Sequence, residues 1–164
     1  MIQYKFTEQA KQLTSESGLD FAPTLADAGS SGYDLCACIP TEKVLYPDEV
    51  FKFPTGVHIW IGDSDPRYDE ANDSYIKWAG LYLPRSSCPG LRLENTVGLL
   101  DCSYQGESFL KYRNVSQEPV VILPGEKIGQ LIFIPTYVSK LRRVESFNST
   151  SARGEGGFGS SGRV

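Results

Sequence analysis

Histidine, methionine and cysteine are scarce in this sequence, and their scarcity excludes several classes of chemistry. The 164 residues include one histidine, one methionine and four cysteines. With a single histidine, a serine-histidine-aspartate triad or a histidine-rich metal site is disfavoured. The cysteines lack the spacing of zinc ligands, so we interpret them as reduced thiols. This predicts a cytoplasmic protein, or one of the host cytoplasm or nucleus if the source is viral.

Long apolar runs and an excess of positive charge are lacking too. No run approaches the roughly 20 apolar residues that cross a bilayer, and residues 1–12 are too polar for a signal peptide. The net charge is −4, whereas a general nucleic-acid binder carries a basic face. We therefore predict no membrane partner and no nucleic-acid partner. A local phosphate site remains compatible with this charge, because it needs only a few arginines and lysines.

Helical periodicity is nearly absent, and the pattern is that of an all-β protein. Short apolar or alternating runs recur between Gly, Pro and Asp residues. They lie at 33–39, 44–46, 50–53, 57–61, 79–83, 109–114, 120–123 and 127–135. Many short strands with regular turns indicate one sandwich or barrel domain such as a jelly roll. One helix is predicted at Thr7–Ser15, with a further turn at Ser139–Arg143.

The segment between Gly62 and Asp73 is polar and acidic. We predict a surface loop over about 62–77. Clustered aspartates could bind a divalent cation, but the segment lacks the fixed spacing of a cation-binding loop. A solvated loop is therefore favoured.

Residues 153–162 contain five glycines in ten positions, which disfavours helix and strand. The same segment carries Arg153, Phe158 and Ser160. Guanidinium and hydroxyl groups suit phosphate, and an aromatic ring suits a base. A flexible tail without a task is the alternative. We predict a domain over 1–152 and a mobile arm over 153–164 that closes over the active site.

Four other stretches place polar residues where a plain β sandwich has apolar ones. The first two are Gly29–Leu35, with an acid early in a strand, and Leu83–Ser87, with an arginine and two hydroxyls after a strand. The third, Asn95–Glu107, we interpret as a β-hairpin with an acid and an aromatic residue near its turn. The fourth, Pro124–Phe133, is a tight turn before a buried strand.

Each stretch also has an ordinary structural explanation. Asp34 could cap a turn, and Arg85 could pair with an acid. Asp101 could be a hairpin aspartate, and Gln130 could satisfy a buried backbone group. Together, however, their chemistry is complementary: arginines and hydroxyls suit phosphate, one acid suits hydrated Mg²⁺ and another suits a water nucleophile.

In this order the five stretches resemble the five motifs of the trimeric deoxyuridine triphosphatase (dUTPase) family, from about Gly29 to Gly162. The most specific are Pro-Arg-Ser-Ser, Gly-Leu-Leu-Asp-x-x-Tyr-Gln-Gly-Glu and Arg-Gly-Glu-Gly-Gly-Phe-Gly-Ser-Ser-Gly. The resemblance implies a distorted jelly-roll (β-clip) barrel, assembled as a homotrimer with active sites between subunits. It also implies Mg²⁺-assisted hydrolysis of dUTP to dUMP and pyrophosphate. That reaction keeps uracil out of DNA and supplies dUMP for dTMP synthesis.

The resemblance assigns the phosphate side of the site to three of the stretches. Asp34 would bind Mg²⁺ through a water. Arg85 and Ser86 would contact the phosphate chain, with Ser86 near the bond that breaks. Ser87 and Gln130 would complete the phosphate contacts.

The third stretch would bind the nucleoside and supply the catalytic base. Asn95 and the backbone at Gly98 and Leu100 would contact the uracil edge. Tyr104 would lie against the deoxyribose and leave no room for a 2′-hydroxyl. Asp101 would orient and deprotonate the water that attacks the α-phosphorus.

The arm would close the site. Phe158 would stack on uracil, with Gly159 also in contact with substrate. Arg153, which would act in catalysis, and Ser160 would reach the β- and γ-phosphates.

The sequence departs from the family pattern in two places. Cys102-Ser103 stands where a second acid or a small residue is common, and the 62–77 segment is longer than usual.

Two rival functions compete with dUTP hydrolysis. The related dCTP deaminase shares the fold, but its catalytic glutamate aligns with Lys111, which disfavours deamination. A regulatory role, with the acidic loop contacting a protein partner, is left open.

Overall fold

A computed structural model describes residues 1–62, 67–71, 73–88, 90–94, 98–149 and 151. The predicted site residues Asn95, Arg153, Phe158, Gly159 and Ser160 lie outside this part of the chain. So does the predicted arm.

β-strands dominate the described residues, which confirms the all-β prediction. In chain order the elements are β1 (Gln3–Phe6), α1 (Glu8–Ser17), β2 (Tyr33–Cys36), β3 (Lys43–Leu45), β4 (Val50–Trp60), β5 (Arg67–Asp69), β6 (Ser74–Pro84), β7 (Leu91–Leu93), β8 (Gly98–Leu100), β9 (Glu107–Asn114), β10 (Val120–Ile122) and β11 (Lys127–Ser139).

The strands form three antiparallel sheets. One has the order β1-β4-β9-β7, and a small one pairs β10 with β3. The third has the order β2-β11-β6-β5, with β8 also pairing with β6. The longest ladder runs between β6 and β11, from Gly129 opposite Pro84 to Ser139 opposite Ser74. This central ribbon determines where the predicted site residues lie.

All three sheets contribute to one apolar core, as the alternation in their strands predicts. Along β9 the buried residues are Ser108, Leu110, Tyr112 and Asn114, while the intervening ones face outward. Each fully buried Leu, Ile or Phe stabilises the fold by about 1.5–3 kcal/mol. The core comprises Leu35, Ala37, Ile39, Leu45, Phe53, Val57, Ile59, Ile61, Tyr82, Leu100, Leu110, Tyr112, Ile122, Ile128 and Leu131.

Buried hydroxyls join the sheets through this core. Tyr82 and Ser108 share a hydrogen bond of 2.6 Å, and the Tyr112 hydroxyl donates to the Ile128 carbonyl at 2.6 Å. Burial raises the pKa of Tyr82 to about 12. The Tyr82 phenol therefore stays protonated, and the two bonds hold β6 and β11 against β9.

The predicted helix is present, but it begins and ends slightly later than expected. Thr7 is its N-cap: the side chain accepts a hydrogen bond from the Ala10 amide at 3.1 Å. Ala10 is buried in a second small cluster with Phe21, Cys36 and Cys38. Strand β1 before the helix was not predicted, because three of its four residues are exposed and it lacks an apolar face.

The predicted surface loop over 62–77 is wrong in part. Within the described residues of this segment, β5 and the start of β6 form a hairpin, with Tyr68 opposite Tyr75 and Asp69 opposite Ser74. The Tyr68 and Tyr75 rings are 5.1 Å apart, and the Tyr68 hydroxyl donates to Asp73 at 2.7 Å. The pattern was missed because polar and exposed residues provide most of this hairpin.

Two other local predictions are wrong. The strands that flank residues 101–106 do not pair with each other in the described structure: β8 pairs with β6, and β9 pairs with β4 and β7. The stretch is therefore a crossover between sheets and not a β-hairpin. The turn predicted at Ser139–Arg143 is also absent, because β11 continues to Ser139 and residues 140–144 have no regular structure.

Candidate active site

Three neighbouring strands bring the first, second and fourth sequence stretches together. Gln130 on β11 lies opposite Asp34 on β2 and opposite Leu83 on β6. Arg85 follows directly after β6, and Lys127 begins β11. We call Asp34, Arg85, Lys127 and Gln130 the Asp34 cluster.

The centre of this cluster is a buried carboxylate between two cations. Asp34 is only 6% exposed. Arg85 Nε lies 3.1 Å from its Oδ1, and Lys127 Nζ lies 3.0 Å from its Oδ2. The second approach is an ion pair but is too oblique for a hydrogen bond, so Oδ2 has no hydrogen-bond donor in the described structure. Burying a charge is costly without an opposite charge, and these cations supply it.

Backbone contacts fix the remaining groups of the cluster. Arg85 Nη1 donates to the Lys127 carbonyl at 3.2 Å, and Gln130 Nε2 donates to the Pro84 carbonyl at 3.2 Å. Gly32 makes room for the glutamine, since a Cβ at that position would lie 2.6 Å from Gln130 Oε1. The glycine in the first stretch is thus explained by the side chain in the fourth.

The two predicted serines lie beside the cluster. Ser86 and Ser87 are exposed in the turn after β6, which is closed by a hydrogen bond of 3.2 Å from the Cys88 amide to the Arg85 carbonyl. Their hydroxyls are therefore accessible to a ligand that binds at Arg85.

Lys127 is the member of the cluster that the sequence did not reveal as a site residue. It follows the Pro-Gly-Glu turn and resembles an ordinary surface charge next to a turn. Its position opposite Cys36, at the end of β2, could have been inferred only from the pairing of β2 with β11.

The third stretch forms a separate cleft of about 270 Å³, which we call the Asp101 cleft. It is lined by Lys52, Tyr82, Gly98, Leu99, Leu100, Asp101, Tyr104, Glu107, Ser108, Phe109, Leu110 and Lys111. The structure thus brings together the predicted residues Gly98, Leu100, Asp101 and Tyr104.

The turn at 101–106 is held by its own hydrogen bonds. The Tyr104 amide donates to the Asp101 carbonyl at 3.1 Å, and the Tyr104 hydroxyl donates to the Glu107 carbonyl at 3.1 Å. Gly106 lies under the tyrosine ring, because a Cβ there would lie 2.2 Å from the Tyr104 hydroxyl oxygen. His58 Nδ1 lies 3.0 Å from the Gln105 carbonyl and ties the turn to β4.

The cluster and the cleft are far apart within one chain. Leu100 pairs with Gly80, so Asp101 lies beside Ala79, six residues before Arg85 on the β6 path. At about 3.3 Å per residue, their backbones are separated by roughly 20 Å. In addition, β8 and β11 lie on opposite edges of β6. Arg85 and Asp101 of one chain therefore do not converge.

Comparison with known proteins gives the family. The dUTPase family model matches residues 71–162. A deoxyuridine 5'-triphosphate nucleotidohydrolase of Neisseria meningitidis is 40% identical over 158 residues, covering 94% of this chain and 97% of that protein. The chain belongs to the dUTPase family. The enzyme of the same name from Alcanivorax borkumensis is 42% identical over 144 residues, covering 86% of this chain and 87% of its own.

Solved dUTPase structures share the fold. A mutant dUTPase of Staphylococcus bacteriophage 80alpha with dUpNHpp has a TM-score of 0.73 and 25% identity, covering 99% of this chain and 98% of its own. A mutant dUTPase from phage phi11 of S. aureus has a TM-score of 0.67 and 21% identity, covering 91% of this chain and 99% of its own. The dUTPase family model begins after Asp34, whereas the curated relatives extend across nearly the whole chain.

The described residues contain no group of three or more His, Cys, Asp or Glu arranged to hold a metal ion. Within the same residues, no helix has the length and apolar character needed to span a membrane. All four cysteines are free thiols.

Proposed function

We propose that this dUTPase-family chain hydrolyses dUTP to dUMP and pyrophosphate at sites shared between subunits of a homotrimer. One observation carries the proposal: a cation-rich cluster and a cleft with an exposed carboxylate lie on one chain but too far apart to act on one phosphorus. A second chain would bring Asp101 to the Arg85 of the first.

The Asp34 cluster suits the triphosphate. Arg85 and Lys127 present positive charge, and the exposed hydroxyls of Ser86 and Ser87 can donate to phosphate oxygens. Phosphoryl transfer depends mainly on positioning and on neutralising charge, so these donors supply the principal stabilisation from the protein.

The residues present also fit a hydrated Mg²⁺ ion. Asp34 has an Oδ2 that lacks a hydrogen-bond donor, and among the described residues it belongs to no group of three or more His, Cys, Asp or Glu that could hold a metal ion. Mg²⁺ commonly keeps several waters and binds through one or two carboxylates plus substrate phosphates. The phi11 dUTPase structure is described as showing the coordination of a structural Mg(II) ion. Bound here, the ion would neutralise phosphate charge, while Asp34 would hold one of its waters.

The Asp101 cleft suits the nucleoside. The backbone of Gly98–Leu100 can bond the edge of uracil, and Tyr104 lies where the deoxyribose would contact it. Asp101 is exposed in the single chain, at the mouth of the turn. As a general base it would take a proton from the attacking water, a contribution of typically 10²–10⁴ in rate. The arm at 153–164 would then close over the triphosphate.

Substrate selectivity tests the activity. Pyrophosphate release should be rapid with dUTP and Mg²⁺, and much slower with dCTP or UTP. A preparation of Asp101→Asn, purified in parallel, controls for contaminating hydrolases. Equal release from all three nucleotides would contradict the proposal.

Subunit mixing tests the shared site. Asp101→Asn and Arg85→Ala chains are each expected to be nearly inactive as homotrimers. Random exchange of equal amounts should restore about a quarter of the wild-type activity, because each site then draws the two residues independently from two chains. Light scattering should give three chains per particle. No recovery after demonstrated exchange would mean that each chain completes its own site.

A further inference from the structure

We propose that Lys127 is a positioning residue that changes partners. It compensates Asp34 until the nucleotide arrives, then gives up the Oδ2 atom of that carboxylate to a metal-bound water and turns its ammonium group to the triphosphate. This role rests on the proposed function, which places the triphosphate and its Mg²⁺ ion at the Asp34 cluster.

The two cations beside Asp34 are held to different degrees. Arg85 is fixed at two points, because its Nε lies 3.1 Å from Asp34 Oδ1 and its Nη1 donates to the Lys127 carbonyl at 3.2 Å. Lys127 has only the approach of its Nζ to Oδ2 at 3.0 Å, and no hydrogen bond in the described structure involves its ammonium group. The lysine side chain is also 42% exposed, against 28% for the arginine. Lys127 is therefore the cation that can leave.

The oxygen that faces Lys127 is covered. Oδ2 has almost no surface in contact with solvent and accepts no hydrogen bond from the described residues. A metal-bound water is held by a carboxylate through a hydrogen bond that the water donates. Such a water reaches Oδ2 only if a group near that atom moves away. Two cations at one buried oxygen would also repel each other, so Lys127 must leave as the metal-bearing nucleotide binds.

A lysine is well suited to this exchange. Its ammonium is a compact charge on a flexible stem, whereas a guanidinium is a rigid fork. The backbone of Lys127 is fixed by its pairing opposite Cys36 on β2, so only the side chain needs to move. The phosphates supply the departing ammonium with new oxygen acceptors. Asp34 thus has a second cation both before and after binding, which avoids the cost of a poorly compensated buried charge.

The exchange predicts a specific coupling between Lys127 and the metal. Without metal, the lysine charge attracts the triphosphate, and its loss should weaken binding. With metal, a neutral side chain loses the phosphate contact but no longer has to be displaced from Oδ2, so the two effects offset each other. Competition of two cations for one oxygen is a negative coupling, and removing one competitor favours the other.

Calorimetric titration with dUpNHpp tests this coupling, because the imido bridge of this dUTP analogue resists hydrolysis. Each protein is titrated in Mg²⁺ and again in EDTA, and the ratio of the two Kd values gives the metal enhancement. In Lys127→Met we expect affinity to fall about 10-fold in EDTA but less than about 3-fold in Mg²⁺. The metal enhancement should therefore be at least about 3-fold larger than in the wild type.

Three further variants accompany Lys127→Met. Lys127→Gln is a second neutral side chain and should show the same increase, so the result does not depend on the folding of one variant. Lys127→Arg keeps the charge and should restore the wild-type enhancement. Lys11→Met is the matched control, since Lys11 is ion-paired with Glu8 on α1 at 2.6 Å, and it should change neither affinity.

Equal losses of affinity with and without Mg²⁺ in Lys127→Met would overturn the exchange, because Lys127 would then contact phosphate without competing with the metal. An enhancement in Lys127→Arg as large as that in Lys127→Met would also overturn it. Asp34→Asn separates these results from a failure of the proposed function, since it should lower the enhancement. If Asp34→Asn kept the wild-type enhancement, the placement of the metal-bound water at Asp34 would be wrong, and the role of Lys127 with it.

Discussion

The Asp34 cluster and the Asp101 cleft hold their acids in opposite ways. Asp34 is buried, lies on a strand and is flanked by two cations at 3.1 and 3.0 Å. Asp101 is exposed, lies on a turn between sheets, and has no ion pair in the described structure. In the first arrangement the carboxylate charge is compensated by cations before any ligand arrives, whereas the second leaves a carboxylate accessible to solvent.

This difference indicates that the Asp34 cluster and Asp101 have different roles. Buried, paired charges have little freedom to move and suit a pre-organised anion site. An accessible carboxylate suits proton transfer, because it must reach a water and then release its proton. The cluster should therefore contribute to both folding and catalysis, while Asp101 should contribute to catalysis alone.

The largest effect is expected for Asp101→Asn. Asparagine keeps the shape of the side chain but cannot act as a base, so turnover should fall by roughly 10²–10⁴ with dUTP affinity nearly kept. The thermal midpoint should not change, since the carboxylate is exposed and has no ion pair within the described residues. Single-turnover kinetics and a melting curve on the same preparation measure both. Near-normal turnover would remove Asp101 from the role of base.

Removal of residues 153–164 should cause the next largest loss of turnover. The protein should remain folded without it, because five glycines in ten positions and few apolar side chains give that segment little surface to bury. Arg153 and Ser160 are expected to contact the β- and γ-phosphates, and Phe158 the base. Turnover should therefore fall far more than affinity for dUMP, which lacks those phosphates. A truncated protein that hydrolyses dUTP at the full rate would show that the segment has no catalytic role.

The sequence drew attention to residues that the structure brings together, but it did not reveal how they are arranged. Asp34, Arg85 and Gln130 were each predicted, but their meeting depends on the pairing of β2, β11 and β6, which no local pattern reveals. Lys127 was missed for the same reason.

The errors in the fold have similar physical causes. A turn with strands on both sides usually makes a hairpin, yet burial of Leu100 in the core takes β8 to β6 instead. Strands β1 and β5 lack an apolar face, so periodicity could not find them. Strands with one buried face, such as β9, were predicted nearly to their ends.

Asp34→Asn tests the role of the Asp34 cluster. It should lower the rate less than Asp101→Asn does, and it should lower thermal stability measurably. We expect activity to fall about 10–100-fold and the Mg²⁺ concentration required to rise, because the group proposed to hold a metal-bound water is weakened. Loss of the ion pairs should cost about 1 kcal/mol, since both cations stay partly solvated. That corresponds to a thermal midpoint lower by roughly 2–4 °C.

Asp48→Asn is the matched control for that substitution. Asp48 is exposed and has a φ of 63°, a conformation that asparagine also tolerates. It should change neither rate nor stability. If Asp34→Asn melted at the wild-type temperature, the ion pairs would contribute nothing to folding, and the contrast with Asp101 would be lost.

The smallest effect is expected for Tyr104→Phe, which tests how firmly the cleft is held. The substitution keeps the ring over Gly106 and removes only the hydroxyl that donates to the Glu107 carbonyl at 3.1 Å. A net loss of about 0.5–1.5 kcal/mol for one hydrogen bond predicts a 2- to 10-fold decrease in kcat/KM. The preference for dUTP over UTP should stay nearly unchanged, because the ring and not the hydroxyl would exclude the 2′-hydroxyl. If Tyr104→Phe instead accepted UTP, the hydroxyl bond would be needed to position the ring, and the turn would be less firmly held than its contacts indicate.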